Sequence, residues 1–163
     1  MHDQSVAVFD HFLGALSKVL AKAEAHCEAH KIDPAALLTA RLFPDMFTFT
    51  RQVQLATDFA KGPSARLAGV DIPSFEDTET TFGTLQARIA KTREFLATIT
   101  PAMLDGAAMR TIRFRARGQD HEAPGQAYLS MVALPNFYFH TTTAYNILRH
   151  NGVELGKGDF VGR

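Results

Sequence analysis

Apolar residues recur along this chain in alternating steps of three and four. Val6, Phe9, Leu13, Leu16, Leu20, Ala23 and Cys27 form the first series, one apolar stripe down about six turns of helix. Ser5 or Asp3 stands where an N-cap is needed. Ile32-Asp33-Pro34 restarts the chain, with Asp33 as N-cap and Pro34 as first residue of a short helix over Ala35–Leu42. Helix two is predicted from Pro44-Asp45, because Met46, Phe49, Val53, Ala56 and Ala60 repeat the step. Gly62-Pro63 interrupts that stripe. Proline inside a helix forfeits a hydrogen bond at a cost of roughly 3 kcal/mol, so a kink or break is expected before Ser64–Leu67 continues and Gly69 ends the helix. Asp71–Phe75 reads as a loop. Asp77 or Thr78 is the expected cap of helix three, whose stripe runs Phe82, Leu85, Ile89, Thr92, Leu96 and Ile99 up to Thr100-Pro101.

The period changes between Met109 and Arg117. Thr111, Arg113, Arg115 and Arg117 alternate with Ile112, Phe114 and Ala116, which marks a short strand. Gly118-Gln119-Asp120 is the expected turn, and His121–Ala123 the return arm of a hairpin. Helix four is predicted from Gly125 to His150, bent at Pro135 and stopped by Asn151-Gly152, with the tail GKGDFVGR irregular. Four long helices with one stripe each must face one another. The pattern predicts an all-α fold: a four-helix bundle, one domain over residues 1–163, with a short β-hairpin between helices three and four.

Composition narrows the function classes. At 163 residues the chain is long enough for one domain with a substantial core. Its 13 Phe and absence of Trp indicate a core of large rings without a polar handle. Acids and bases balance at 17 each, which argues against nucleic-acid binding. No apolar run approaches the roughly 18 residues of a membrane span. The start, MHDQSVAVFD, lacks the basic and apolar regions of a signal peptide. Cys27 is the only cysteine, so no intramolecular disulfide forms, and a reducing cytoplasm is the expected location.

Helix four holds the sharpest candidate chemistry. Asn136 lies one turn before His140 and Ala144 one turn after it, all on one face. His140 is a candidate metal ligand or general base; with an ordinary pKa of about 6.5 it serves acid–base chemistry even without a metal. The plainer alternative is a partly buried histidine hydrogen-bonded to Asn136 or to a polar group of helix two. Gln54 and Asp58, four apart on helix two, either face His140 across a cleft or lie on a solvated flank. His26 and His30, beside Glu24, Glu28 and Lys31, read as a solvated face, and Cys27 as an inert core thiol. Arg113, Arg115 and Arg117 make a basic strand face, open to an anionic ligand or to solvent. Phe137-Tyr138-Phe139 covers nearly a full turn, so the outer side of helix four is the expected contact of a homodimer. No Ser-His-Asp pattern, phosphate loop, Cys-x-x-Cys or nucleotide fingerprint is present.

Three segments carry a resemblance: ARLFPDMFTFTRQVQLATDFAKG (Ala40–Gly62), FEDTETTFGTLQARIAKT (Phe75–Thr92) and LPNFYFHTTTAYNILRHNGVELGKGDF (Leu134–Phe160). They resemble the bacterial family called domain of unknown function 1993, which is grouped with the DinB/YfiT-like metalloenzyme superfamily. The resemblance implies a DinB/YfiT-like four-helix bundle, homodimeric, and in the wider superfamily a divalent metal held by three histidines. One of these comes from helix two and two from helix four, spaced H-x-x-x-H. Here His140 matches the first of the helix-four pair, and Ala144 stands at the second. Gln54 is the helix-two counterpart, with Asp58 one turn on. An amide oxygen is a poor ligand for zinc or nickel, and alanine has no donor.

The expectation is therefore a degraded metal site. It has no cofactor, or at most a weakly bound divalent metal on His140, and Gln54, Asp58, Asn136 and His140 line a ligand cleft. The implied function is a small-ligand-binding or non-catalytic homodimer. The alternative is a divalent-metal-dependent enzyme working through His140, such as a thiol S-transferase of the kind that uses bacillithiol or mycothiol elsewhere in the superfamily.

Overall fold

The computed structural model describes residues 1–163. Helix α1 (Val6–His30) buries the whole first stripe, from Val6 to Cys27. Ser5 precedes it, but its hydroxyl donates back to the Met1 carbonyl (2.8 Å) and does not cap. Helix α2 (Pro34–Leu38) is capped as expected, with Asp33 Oδ1 accepting from the Ala35 N–H (2.9 Å), and stops short of Leu42. Helix α3 (Phe49–Ala68) begins later than Pro44, where the Thr48 hydroxyl accepts from the Arg51 N–H. It passes through Gly62-Pro63 as continuous helix, so the expected break does not occur. Ala60 and Leu67, on either side, are both fully buried, and that packing outweighs the local cost of the proline.

Helix α4 (Phe82–Ala97) is capped by Thr81 and not by Asp77 or Thr78. The Thr81 and Thr84 hydroxyls each accept from the other's backbone N–H at 3.1 Å, a reciprocal capping box. Strands β1 (Thr111–Ala116) and β2 (Gln119–Pro124) pair antiparallel, Thr111 opposite Pro124 and Ala116 opposite Gln119. The connecting residues Arg117 (φ 50°) and Gly118 (φ 77°) are both left-handed, as a tight two-residue hairpin turn requires. The turn is thus one residue earlier than the sequence pattern indicated.

Helix α5 (Gly125–Tyr128) runs through one π-turn, Leu129–Ala133, into helix α6 (Leu134–His150). Pro135 lacks an N–H, and its ring crowds the carbonyl four residues back; the wider π-turn just before it gives it room. The tail is not irregular. Helix α7 (Lys157–Val161) lies on α1, with Asp159 accepting from the Gly156 N–H (2.8 Å) and paired to Lys22 (2.7 Å). Phe160 packs against Phe12 and Tyr145. Those anchors are remote in sequence, so no local pattern announced the helix.

The chain is mostly helical with one small two-stranded antiparallel sheet. The long helices pack as α3 on α6, α1 on α4 and α3 on α4, with α1 also touching α3 and α6. One cluster of 32 buried residues runs through them, with Phe9, Phe49, Phe82 and Phe137 fully enclosed. Phe9 and Phe137 meet edge to face at 4.9 Å. No helix is long and apolar enough to cross a membrane.

Candidate functional site

The packing of α3 on α6 puts Gln52 opposite His140. His140 Nδ1 lies 2.7 Å from Gln52 Oε1, while Gln52 Nε2 donates to the Phe47 carbonyl (3.4 Å). With its NH2 group turned to that carbonyl, Gln52 presents an acceptor. Nδ1 of His140 therefore carries the proton and Nε2 holds the lone pair. The ring stacks on Phe59 (5.5 Å, 20° between planes) and meets the edge of Phe139 (5.3 Å). His140 is 7% exposed. Burial, reinforced by the Arg51 guanidinium and only partly opposed by the Asp58 carboxylate, pushes its pKa down to about 4. The imidazole is neutral at pH 7.

Gln54 is not the counterpart of His140. Two positions along a helix turn a side chain by about 200°, so when Gln52 faces α6, Gln54 faces away. Gln54 is buried and donates to Glu79 (2.7 Å) while accepting from Arg51 (3.1 Å). It belongs to a charge network centred on Arg88, whose side chain is 2% exposed. Arg88 bonds Asp58 and Asp77 at 3.0 Å, Glu79 at 3.1 Å, the Thr57 hydroxyl at 2.7 Å and the Glu76 carbonyl at 3.0 Å. Lys61 reaches Asp58 (2.8 Å) and Arg51 reaches Asp77 (2.5 Å), so three cations meet three carboxylates. The network ties the segment between α3 and α4 to both helices. Gln54 is thus neither a solvated flank nor a partner of His140; Asp58, one-third exposed, is held in the network and reaches His140 only through its charge.

Asn136 does not touch His140 through its amide. Its Nδ2 donates to the Val132 carbonyl (2.7 Å), beside the π-turn. Ala144 is fully buried and offers no donor. Nowhere do three or more His, Cys, Asp or Glu side chains come together as a metal site. At His140 only Nε2 is free, since Nδ1 is committed to Gln52. The residues present do not fit the three-ligand metal of the superfamily.

What the fold does create is a cavity of about 560 Å³ between α3, the hairpin and the α5–α6 segment. Asp58, Phe59, Arg66, Phe114, Tyr128 and Asn136 are among its walls. Phe59 is shared: it borders the cavity and also stacks on His140. Of the four cleft residues expected from sequence, Asp58 and Asn136 reach this cavity. Gln54 lies in the charge network, and His140 lies behind Phe59. Gln52, Arg88, Arg66 and Tyr128 were not singled out by the sequence. Only Arg88 left a signal there: a charge three after Leu85 and four before Thr92, on the edge of a buried stripe.

Cys27 is buried and its thiol is pushed up, chiefly by desolvation, so it behaves as core. The rings of half-buried His26 and exposed His30 lie 4.2 Å apart on α1, tilted by 33°.

The chain matches the family model "Domain of unknown function (DUF1993)" over residues 1–161, and it belongs to that family. Its fold is similar to the crystal structure of a DinB family member protein from Shewanella denitrificans. The two are 42% identical over 99% of this chain and 92% of that one, with a TM-score of 0.94. No curated protein matches the sequence.

Proposed function

We propose that this DUF1993 protein is a non-catalytic, small-ligand-binding bundle. Residues 1–163 act as one domain in which α1, α3, α4 and α6 form a DinB-like four-helix bundle. Its ligand enters the cavity bordered by Phe59 and Asn136, and His140 is the remnant of a metal site. The observation that carries this reading is the pairing of an open cavity with an exhausted ligand set. The cavity, at about 560 Å³, falls within the roughly 300–1,000 Å³ usual for small-molecule sites. Beside it His140 faces an amide already hydrogen-bonded and an alanine.

Two measurements test it. Calorimetric titration of zinc and nickel is expected to show no submicromolar site that His140→Ala abolishes. A fragment screen read by amide NMR shifts is expected to yield hits that move Phe59 and Asn136 and that Val132→Trp, which fills the cavity, removes. A screen without cavity hits defeats the binding reading.

The protein is also proposed to be a homodimer. Met131 (77% exposed), Pro135 and Phe139 (56% exposed) are spaced by four along the outer side of the π-turn and α6. Phe47, also 56% exposed, lies nearby through Gln52 and His140. A second copy would cover this apolar strip. Light scattering should give about twice the 17.9 kDa chain mass, and a monomer mass at micromolar concentration refutes the dimer.

One observation favours a second reading, a divalent-metal-dependent enzyme: the Nε2 lone pair of His140 has no partner in the protein. A tight His140-dependent metal site in the titration would put that reading first, with Gln52→Ala the next variant.

A further inference from the structure

The walls of the cavity are unevenly charged. Arg66, Arg115 and Arg117 all line it, and none of the three pairs with a carboxylate. Elsewhere Arg51, Arg88, Arg93 and Arg113 each hold an acid, and Arg110 is taken up by the Leu67 carbonyl. The acid on the cavity wall, Asp58, is already shared by Arg88 and Lys61 through Oδ1. It does not neutralise Arg66.

Arg66 is held at the cavity by two features. Its Nη1 donates to the Tyr128 hydroxyl at 3.3 Å, and it folds back over Gly62, one turn earlier on α3. A Cβ at position 62 would lie 3.0 Å from that same nitrogen. Glycine inside a helix costs about 1 kcal/mol relative to alanine. The side chain missing at position 62 leaves the guanidinium its place. Burial raises the Tyr128 pKa, so its hydroxyl stays protonated and has a hydrogen left to donate while accepting from Arg66. Around these donors the walls are apolar: Phe59, Pro63, Phe114 and Val132.

We infer that the cavity binds a small organic anion, its carboxylate or phosphate held by Arg66 and Tyr128 and its planar apolar body lying between Phe59 and Phe114. The inference rests on the ligand-binding reading above and names the ligand class for that site. Arginine suits both headgroups, because its planar fork matches two acceptor oxygens at once. Arg115 and Arg117, on the exposed hairpin, supply further positive charge on the cavity wall and favour entry of an anion.

The full-length protein is titrated with 2-naphthoate, 1-naphthyl phosphate, neutral 2-naphthamide and inorganic phosphate, followed by calorimetry and by the amide shifts of Phe59 and Tyr128. At least one of the two naphthyl anions should bind about tenfold or more tighter than the amide, the scale of a charge-assisted hydrogen bond. That advantage should shrink as salt rises and vanish in Arg66→Gln. The tighter of the two identifies the headgroup. Arg115→Gln/Arg117→Gln, on exposed positions that do not threaten folding, should lower the anion's affinity and leave the amide's unchanged.

If amide and anions bind equally, or both arginine variants bind the anion like wild type, the inference is overturned while the cavity remains a binding site. Inorganic phosphate binding as tightly as the naphthyl anions overturns the apolar body. If no compound shifts the cavity amides, the inference and the ligand-binding reading fail together.

Discussion

Arg88→Met removes a buried cation and leaves its three carboxylates in place. The cost can be apportioned from the geometry. Asp58 and Asp77 are 33% and 41% exposed and keep Lys61 and Arg51, so both can rehydrate and lose little. Glu79 is 10% exposed, and beyond Arg88 its contact is the neutral amide of Gln54. The Thr57 hydroxyl, fully buried, also loses its donor. Breaking a buried ion pair by removing one partner costs roughly 3–5 kcal/mol. Because two of the three acids retain cations, the lower end applies, about 3 kcal/mol. For a chain of this size that is a fall of roughly 6–12 °C in midpoint. Urea unfolding followed by helical ellipticity measures it directly. The double variant Arg88→Met/Glu79→Gln should regain part of the loss, since the stranded charge is gone. A loss below about 1 kcal/mol, or a double variant less stable than Arg88→Met, would show that Glu79 is not the stranded group and refute the apportionment.

Acid should weaken the fold through His140. Its folded pKa of about 4 lies below the ordinary 6.5, so the unfolded chain binds the proton first; stability is unaffected above pH 6.5 and falls as pH drops from about 6.5 to about 4. A gap of about 2.5 pH units corresponds to at most ~3 kcal/mol. His140→Leu should flatten that part of a urea-midpoint-against-pH curve, and parallel curves would contradict the assignment. Gly125→Ala should destabilise by about 2 kcal/mol or more, because its Cβ would sit 2.0 Å from the Ala107 carbonyl oxygen and force apart the turn bonded through Gly125 N–H to Arg110 (2.9 Å). Gly158→Ala, in open space on α7, is the control and should be neutral or slightly stabilising on thermal melting.

The helices of this protein are legible in its sequence because their determinant is local. A three-four stripe records which face of each helix is buried, and every member of the Val6–Cys27 and Phe82–Ile99 stripes is indeed buried. The hairpin is legible for the same reason, through its period of two. The stops are legible where the backbone itself demands a residue, as at Gly69 with φ of 73°. A stripe does not say what lies across from it. Gln52 and Gln54 are equally polar neighbours, and only the rotation of α3 against α6 sends one to His140 and the other to Glu79. Asp77 looked like a cap because caps are local; its carboxylate is instead taken by Arg51 and Arg88, which the fold brings from 26 and 11 positions away. Likewise Arg66 and Tyr128 are 62 residues apart and meet only when the π-turn and hairpin close over α3. Burial is a property of one helix face and is written along the chain. The partners of a buried polar group come from distant segments, and only the packed tertiary structure decides them.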